Sequence, residues 1–379
     1  MWWLMALVFL TGAGLSLLAS WVLVQRLERL GERIGLSEVL LGLAVALTAD
    51  APEITAAVTA IAQRQQHLGA GVVIGSNVFN LAALLGLAAV IAGRIGLHRK
   101  VVALGGTVAM VVALSCLAVV AGLVPPAAGL ALALFAFAIY AVILSGTSLL
   151  ARVRLPAAWT TWLRAAVMEE EAELGEALKT RPARWPDAVT AVAALAVVVG
   201  ASIAMEQAAA RLGGAFGVAP IVTGGLVLAA ITSLPNAVAA IYLAARGRGA
   251  ATLSTALNSN ALNVIAGFLL PAAIAGLARP SGQVAQTAAW YVGLSLLTLV
   301  LAWRLRGLGR RAGALIITAY LAFAWSLVAS ASGIPIALQL GVAAGLLLSG
   351  PFLPAAVARL ADLSRAPSRN ELPGRRCRW

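Results

Sequence analysis

Long runs of apolar residues, separated by short polar segments, fill the sequence from end to end. A helix that crosses a bilayer needs about 20 predominantly apolar residues. Eleven runs meet this requirement, and the predicted spans cover residues 2–24, 39–62, 71–93, 101–123, 127–149, 188–208, 218–245, 251–278, 286–303, 312–331 and 335–358. The hydropathy pattern therefore predicts an all-α polytopic membrane protein with about 11 spans.

Composition and charge support a membrane location. Of the 379 residues, 61% are hydrophobic and 11% are charged, and a soluble core could not bury so much apolar surface. The net charge of +13 does not indicate nucleic-acid binding, which needs a basic face on a soluble domain. If loops alternate sides, 24 of the 27 Lys and Arg share one side, and only Arg64, Arg211 and Arg279 lie on the other. The positive-inside rule then predicts an outside N-terminus and a cytoplasmic C-terminus, in what we expect to be a bacterial inner membrane.

An internal repeat organises the chain, because residues 42–91 align without a gap on residues 225–274. Every counterpart lies 183 positions later, as Pro235 does relative to Pro52. The same offset maps the first five predicted spans onto the next five. A unit with an odd number of spans ends on the opposite side of the membrane, so the second unit must be inverted. Inverted repeats usually place the substrate at their shared midplane interface.

The repeat divides the chain into four predicted parts. Residues 1–150 form the first repeat, 151–187 a cytoplasmic loop, 188–332 the second repeat, and 333–379 an extra span with a basic tail. The loop contains an acidic run at 168–173. A solvated helical face is favoured there over a regulatory cation site, because the run lacks the glycine turn and carbonyl ligands of a Ca²⁺ loop.

Two acids, Asp50 and Glu53, fall in the middle of a predicted span, where a carboxylate costs at least about 2.5 kcal/mol. Three residues apart, they share one helix face, and Pro52 between them removes a backbone hydrogen bond. A helix broken at mid-membrane exposes carbonyl oxygens, which together with carboxylates suit hard cations. The alternative is a buried ion pair or a protonated acid at a packing seam, but no Lys or Arg lies at a matching depth.

Polar residues recur in the third span and in its counterpart, which read GSNVFN at 75–80 and NSNALN at 258–263. Polar side chains in membrane helices often serve to hold helices together. Their recurrence opposite the acid-bearing helix in both repeats favours a ligand role for Ser76, Asn80, Ser259 and Asn263. For Asn77 and Asn260, a ligand role and helix-to-helix hydrogen bonding remain equally open.

These paired segments resemble the alpha repeats of the sodium/calcium exchanger family, within the cation/Ca²⁺ antiporter superfamily. In that family each repeat reads approximately GTSAPE followed by GSNIFN, and the resemblance covers nearly all of residues 2–332. The family's serine or threonine, glutamate and last asparagine line its Na⁺ and Ca²⁺ sites. The resemblance therefore implies cation ligands at Asp50, Glu53, Ser76, Asn80, Thr232, Ser233, Asn236, Ser259 and Asn263. It implies supporting roles for Pro52, Gly75, Asn77, Pro235 and Asn260.

Two departures from the family pattern change the charge of the site. Asn236 stands where the second repeat would have its glutamate, and Asp50 stands where the first repeat would have a serine. Two site carboxylates therefore remain, both on one helix. We hypothesise that the charge has moved and still balances a divalent cation or an equivalent number of monovalent ones. Acids so close together compete for protons, which makes H⁺ a competitor of Na⁺ as the exchanged ion.

The expected function is alternating-access antiport of Ca²⁺ against Na⁺, and Ca²⁺/H⁺ or other cation/H⁺ exchange is the alternative. An intramembrane enzyme with Asp50 and Glu53 as an acid/base pair, and a non-transporting membrane protein, are two further alternatives. The sequence has no GxxxxGK[ST] loop, so we expect cations and lipid as partners, with no nucleotide, nucleic acid or cofactor. Glu206, near the outer end of the sixth span, is expected to be an exposed interfacial acid rather than an aid to cation access.

Overall fold

The computed structural model describes residues 2–33, 44, 46–144, 161–163, 185–277 and 281–352. The acidic run at 168–173 and most of the basic tail lie outside these residues. The helices of the first half are α1 Trp2–Arg33, α2 Ala51–Ala62, α3 Gln66–Asn80, α4 Ala88–Ala92, α5 Arg99–Val120 and α6 Pro126–Leu144. Those that follow are α7 Trp185–Ala215, α8 Pro220–Val222, α9 Ala229–Thr232, α10 Leu234–Ala245, α11 Gly249–Leu262, α12 Leu270–Ala275, α13 Gly282–Leu305, α14 Arg310–Ala331 and α15 Ile336–Ser349.

Two kinds of shorter element complete the fold. Three π-helical turns occur at Leu81–Leu87, Thr223–Leu228 and Asn263–Leu269, and a 3-10 turn occurs at Gly350–Phe352. Strands β1 Arg94–Gly96 and β2 Gly307–Gly309 pair antiparallel, with Ile95 opposite Leu308. The hydropathy pattern did not predict this ribbon, because three-residue strands carry no periodicity to read. It joins the segment after α4 to the segment after α13.

The predicted polytopic membrane fold is confirmed. Eight of the described helical spans are long and apolar enough to cross a bilayer. A bent pair of helices, Pro220–Thr232 and Leu234–Ala245, brings the number to nine if it counts as one span. The bend between the two helices is 49°. Two shorter apolar helices, Ala51–Ala62 and Ile336–Ser349, lie within the two remaining predicted spans. The total of eleven stays a prediction.

The described helices recur at the offset found in the sequence. Helices α1 and α7 begin at Trp2 and Trp185, α2 and α10 at Ala51 and Leu234, and α3 and α11 at Gln66 and Gly249. Each pair is 183 residues apart, which is also the separation of Asn77 and its hydrogen-bond partner Asn260. Repeated apolar patterns therefore form repeated helices, and equivalent positions meet in space.

Burial separates central spans from peripheral ones. In the most apolar stretch of Gln66–Ala92, 78% of residues are buried, and the figure for Gly249–Ala275 is 72%. The corresponding share is 28% for Trp2–Leu27 and 22% for Pro126–Leu144, whose exposed side chains are mostly apolar. The polar motifs at 75–80 and 258–263 therefore lie on the two most enclosed helices, away from lipid.

The central helix α3 crosses the turn at 223–228 with the two backbones in contact. A Cβ atom on Gly75 would overlap the carbonyl oxygen of Gly225, and one on Gly224 would overlap that of Leu68. Small residues permit such close crossings in membranes, where van der Waals packing drives helix association. Gly75 thus lies at the crossing between the two halves.

Candidate cation site

Each half of the protein has a helix break at the same position. Helix α2 begins after Asp50 and helix α10 after Ser233, and their backbone angles are nearly equal: φ −83° and ψ −2° at Asp50, φ −84° and ψ 0° at Ser233. Pro52 and Pro235 lie in the first turn of the two helices, and neither has an N–H group to continue a preceding helix. The breaks place Asp50 and Ser233 at equivalent bends.

The two carboxylates accept hydrogen bonds from the opposite half. Asp50 Oδ1 accepts from Asn236 Nδ2 and from Ser259 Oγ, both over 2.6 Å. Glu53 Oε1 accepts from Ser233 Oγ over 3.1 Å. Every one of these five side chains is buried. The structure therefore brings both predicted acids together with three of the predicted ligands of the second repeat.

These contacts form two equivalent pairs across the repeat. Position 53 bonds to position 233, and position 50 bonds to position 236. Because 233 is the counterpart of 50 and 236 the counterpart of 53, each pair is the image of the other. A carboxylate at position 50, as in this chain, lies in the same pair as a carboxylate at position 236 would. The two positions are one hydrogen bond apart.

Four asparagines fasten α3 to α11 in the same reciprocal way. Asn77 Nδ2 donates to the Asn260 carbonyl over 2.9 Å, and Asn260 Nδ2 donates to the Asn77 carbonyl over 3.1 Å. Their side-chain oxygens accept from Asn263 Nδ2 over 3.3 Å and from Asn80 Nδ2 over 3.0 Å. The amide groups of Asn77 and Asn260 are thus engaged in the crossing, which favours helix-to-helix bonding over ion binding for both.

Ser259 connects this crossing to the acids. Its hydroxyl donates to Asp50 and accepts from Asn80 Nδ2 over 3.1 Å and from Asn236 Nδ2 over 3.3 Å. Two other predicted ligands bond within their own helices: Ser76 Oγ donates to the Val73 carbonyl over 3.0 Å, and Thr232 Oγ1 to the Leu228 carbonyl over 2.9 Å. Both hydroxyls are buried and keep acceptor lone pairs, but these bonds do not join them to the acids.

Four buried oxygens of the site have no hydrogen-bond partner among the described residues: Asp50 Oδ2, Glu53 Oε2, Asn80 Oδ1 and Asn263 Oδ1. A buried acceptor without a partner costs about 1–3 kcal/mol, and more when it is charged. Neither carboxylate pairs with a Lys or Arg within the described ranges, so a buried ion pair is not found there. Carboxylate and amide oxygens are the ligands of hard cations such as Ca²⁺.

The donor set is poor in charge for a permanent metal centre. Over the described part of the chain, no group of three or more His, Cys, Asp and Glu residues is placed to hold a metal ion. Asp50 and Glu53 are instead surrounded by neutral hydroxyl and amide groups.

Comparison with known proteins assigns the family. The family model described as sodium/calcium exchanger protein matches residues 3–148 and 187–329, most of the chain and both repeats. The chain belongs to the sodium/calcium exchanger family. The proteins of this family are transporters rather than enzymes, and membership confirms the resemblance seen in the repeat motifs. A search of curated proteins found no significant match to this sequence.

The protein has the same fold as three solved structures. The H⁺/Ca²⁺ exchanger CAX superposes with a TM-score of 0.66 at 13% identity, over 95% of this chain and 89% of its own. The sodium-calcium exchanger NCX_Mj gives a TM-score of 0.53 at 21% identity, over 85% of this chain and 98% of its own. The structure of native YfkE gives 0.56 at 16% identity, over 86% and 99%. At these identities the likeness establishes the fold alone.

The sequence did not predict the π-helical turns. One, Leu81–Leu87, directly follows Asn80, and its counterpart, Asn263–Leu269, begins at Asn263. Such turns are rare and occur often at functional sites. The apolar residues that form both turns give no signal in the sequence to separate them from ordinary helix.

The prediction for Glu206 was wrong. Its side chain is fully buried in α7, and both carboxylate oxygens lack a partner in the described part of the chain. Helix α1 packs along α7 here: Gly12 allows close approach to Ala201, and Ser16 shares a 2.9 Å hydrogen bond with Ser202. The hydropathy pattern gives the depth of Glu206 along its span. It does not show that a second helix covers the side chain. The small residues on both helices were the available signal.

Proposed function

We propose that the protein is a secondary active antiporter that exchanges Ca²⁺ for Na⁺ by alternating access at the site of Asp50 and Glu53. One observation carries the proposal: each buried carboxylate has one oxygen held by the opposite repeat and one oxygen without a partner. Two carboxylates balance one divalent cation or two monovalent ones. The same site can therefore accept either ion, which exchange requires.

The ligand roles follow from the contacts. Asp50 and Glu53 supply the charge, and Asn80 and Asn263 supply neutral amide oxygens. Ser233, Asn236 and Ser259 orient the carboxylates through the hydrogen bonds described above. The hydroxyls of Ser76 and Thr232 add acceptor lone pairs when they turn from their own helices. Six to eight oxygens complete a Ca²⁺ shell, and this set supplies that number without a third acid.

The missing second glutamate does not argue against transport in this geometry. Asn236 is 2.6 Å from Asp50, so the carboxylate at position 50 occupies the same pair as a glutamate at position 236 would. The charge is displaced by about the length of one hydrogen bond. This closeness supports the relocated-charge hypothesis over the alternative of a non-transporting protein, which would have no use for the costly gain of Asp50.

Alternating access is supported by where the anchoring bonds lie. Both carboxylates are on the first repeat, and their direct donors Ser233, Asn236 and Ser259 are on the second. Movement of one repeat against the other therefore changes the ion site itself. In transporters built from repeats, such rocking exposes a midplane site to each side of the membrane in turn.

The predicted orientation is also supported by two pairings. Strand β1, after the third predicted span, pairs with β2, after the ninth, so these loops share a side. Asp187, at the start of α7, bonds to Arg26 over 2.5 Å and to Arg29 over 3.5 Å near the end of α1. Both pairings join loops that the charge count assigns to the cytoplasm. We therefore propose the N-terminus outside and the basic ends inside.

Ca²⁺/H⁺ exchange is the second candidate. The oxygens of Asp50 and Glu53 that lack partners can take a proton as well as a metal ion. The solved H⁺/Ca²⁺ exchanger CAX, which has this fold, shows that the scaffold accommodates such exchange. The two candidates differ in the ion that displaces Ca²⁺ and not in the residues that bind it.

Flux measurement distinguishes the candidates. Purified protein in liposomes loaded with Na⁺ should take up radioactive Ca²⁺, and uptake should fall to the level of empty liposomes when choline replaces Na⁺. Uptake that follows an imposed pH gradient and ignores Na⁺ would select H⁺ exchange instead. If folded protein, checked by thermal unfolding, moves no Ca²⁺ under either gradient, the proposed substrate is wrong.

A further inference from the structure

A groove on the outside of the bundle is separate from the cation site. It lies between α5 and α13, has a cavity volume of about 440 Å³, and contains none of the proposed ion ligands. Its walls are formed chiefly by apolar side chains, among them Val102, Met110, Leu296, Leu299 and Val300. Leu296 and Val300 are exposed, so the groove faces the lipid.

The groove has the length of one leaflet. Its lining on α5 runs from Val102 to Val111, which is about 14 Å at 1.5 Å per residue. Half of a hydrocarbon core of about 30 Å is about 15 Å. An acyl chain that enters at the headgroup level would therefore lie along the groove and end near the bilayer centre.

One end of the groove is basic and held in place. Arg304 lines it, and Arg99 reaches across from α5 to α13. The Arg99 Nε atom donates to the Trp303 carbonyl over 3.3 Å, and its guanidinium lies 5.6 Å from the centre of the Trp303 ring. Tryptophan at this level is typical of the membrane interface. Arg99 is the first residue of α5, where the helix dipole is positive, and Arg304 lies in the last turn of α13, where the dipole is negative. The positive potential of this end therefore comes from the two guanidinium groups.

No acid of the neighbouring sequence neutralises this end. The chain contains no Asp or Glu between Glu53 and Glu169, and none between Glu206 and Asp362. These two stretches include all of α5 and α13. Within the described ranges neither Arg99 nor Arg304 forms a salt bridge. An apolar groove about one leaflet long with two such cations at the headgroup level is complementary to an anionic phospholipid.

We propose that this groove is a binding site for an anionic phospholipid. One acyl chain lies between α5 and α13, and the lipid phosphate contacts Arg99 and Arg304. Both helices pack against central helices, α5 against α11 and α13 against α3, so the lipid supports the helices that carry the asparagine crossing. The proposal does not depend on which cation is transported.

Native mass spectrometry of the detergent-purified full chain tests the site, with phosphatidylglycerol and phosphatidylcholine as probes. The parent should retain phosphatidylglycerol in preference to phosphatidylcholine. The double variant Arg99→Gln/Arg304→Gln should bind phosphatidylglycerol about 30-fold more weakly, which is about 2 kcal/mol at 1.4 kcal/mol per tenfold. Arg211→Gln, an exposed arginine elsewhere, is the matched control and should bind as the parent does.

A second variant tests the apolar part without changing charge. Thr107 lines the groove and is exposed, so Thr107→Phe should fill the slot and reduce phosphatidylglycerol retention. Leu114→Phe, exposed on the same helix outside the groove, should not. Equal retention of both lipids by the parent, full retention by Thr107→Phe, or an equal loss in Arg211→Gln would overturn the proposal. The two variants are independent, so one decides if the other fails to fold.

Discussion

Asn236 Nδ2 donates a hydrogen bond to Asp50 Oδ1 over 2.6 Å, and this contact joins the two positions at which the charge of the site departs from the family pattern. The position that lacks a glutamate touches the position that has gained an aspartate. The equivalent pair, Ser233 and Glu53, is also hydrogen bonded. The site therefore keeps two carboxylates in two matching pairs, although both acids lie on one helix.

Loss of one site charge should weaken Ca²⁺ binding strongly. In Glu53→Gln the amide keeps an oxygen that can accept from Ser233, but one of the two negative charges is gone. A unit charge 4 Å away contributes about 4 kcal/mol at an effective dielectric constant near 20, so affinity should fall at least about 100-fold. Calorimetric titration in detergent measures it. Ser233→Ala, which removes the bond and keeps both charges, should lose much less; an equal loss would show that charge is not the main term.

The four asparagines should separate into two groups. Asn77→Ala removes the bonds that fasten α3 to α11, at an average of about 0.6 kcal/mol for each interhelical bond in a membrane. Its thermal midpoint should fall while Ca²⁺ affinity changes little. Asn263→Ala also removes one bond to Asn77, but it takes away an amide oxygen that has no partner in the described part of the chain, so affinity should fall more than stability. The reverse assignment would exclude Asn263 as a ligand.

The backbone crossing at Gly75 should tolerate no side chain. Gly75→Ala places a methyl group against the Gly225 carbonyl, and overpacking of this kind typically costs about 1–3 kcal/mol. The thermal midpoint in detergent should drop and Ca²⁺ flux should decrease. Gly200→Ala is the matched control, because a Cβ atom there meets nothing within 4 Å. Equal midpoints for the two variants would contradict the crossing.

Neutralisation of two acids of α7 should affect stability differently. Asp187→Asn weakens the bridges to Arg26 and Arg29, so the thermal midpoint should fall. Glu206 is buried without a partner for either carboxylate oxygen among the described residues, so Glu206→Gln should leave the midpoint unchanged or raise it. Thermal unfolding of both variants in one detergent checks this. A larger drop for Glu206→Gln would mean that its carboxylate is engaged after all.

The sequence predicted the polytopic membrane fold and the repeat of its helices, because apolar runs and a constant offset of 183 can be read from the chain alone. It could not predict which atoms pair. Ser76 and Ser259 occupy equivalent positions, yet Ser259 bonds to Asp50 while Ser76 bonds to its own helix. The difference arises because only the first repeat carries an acid at the helix break. A hydroxyl donates to the acceptor within its reach, and for Ser259 that acceptor is the Asp50 carboxylate.

Burial by neighbouring helices was the second limit. A single span does not show what covers it, so Glu206 could be placed along α7 but not recognised as enclosed. The roles of Asn77 and Asn260 were open for the same reason, since only the crossing of α3 and α11 reveals that each amide meets the other's backbone. Which residues of the two repeats touch each other depends on the tertiary structure, and the pattern within a single span does not show it.

The central claim is that Asp50 holds the charge that the family places at position 236. In liposomes, Asp50→Ser should lose most Ca²⁺ flux, and the double variant Asp50→Ser/Asn236→Glu should recover a large part of it. Asp50→Ser/Asn236→Gln, which has the same shape without the charge, is the control and should stay inactive. We expect recovery in the glutamate variant alone; equal flux in the two double variants would show that Asp50 does not carry the charge of position 236.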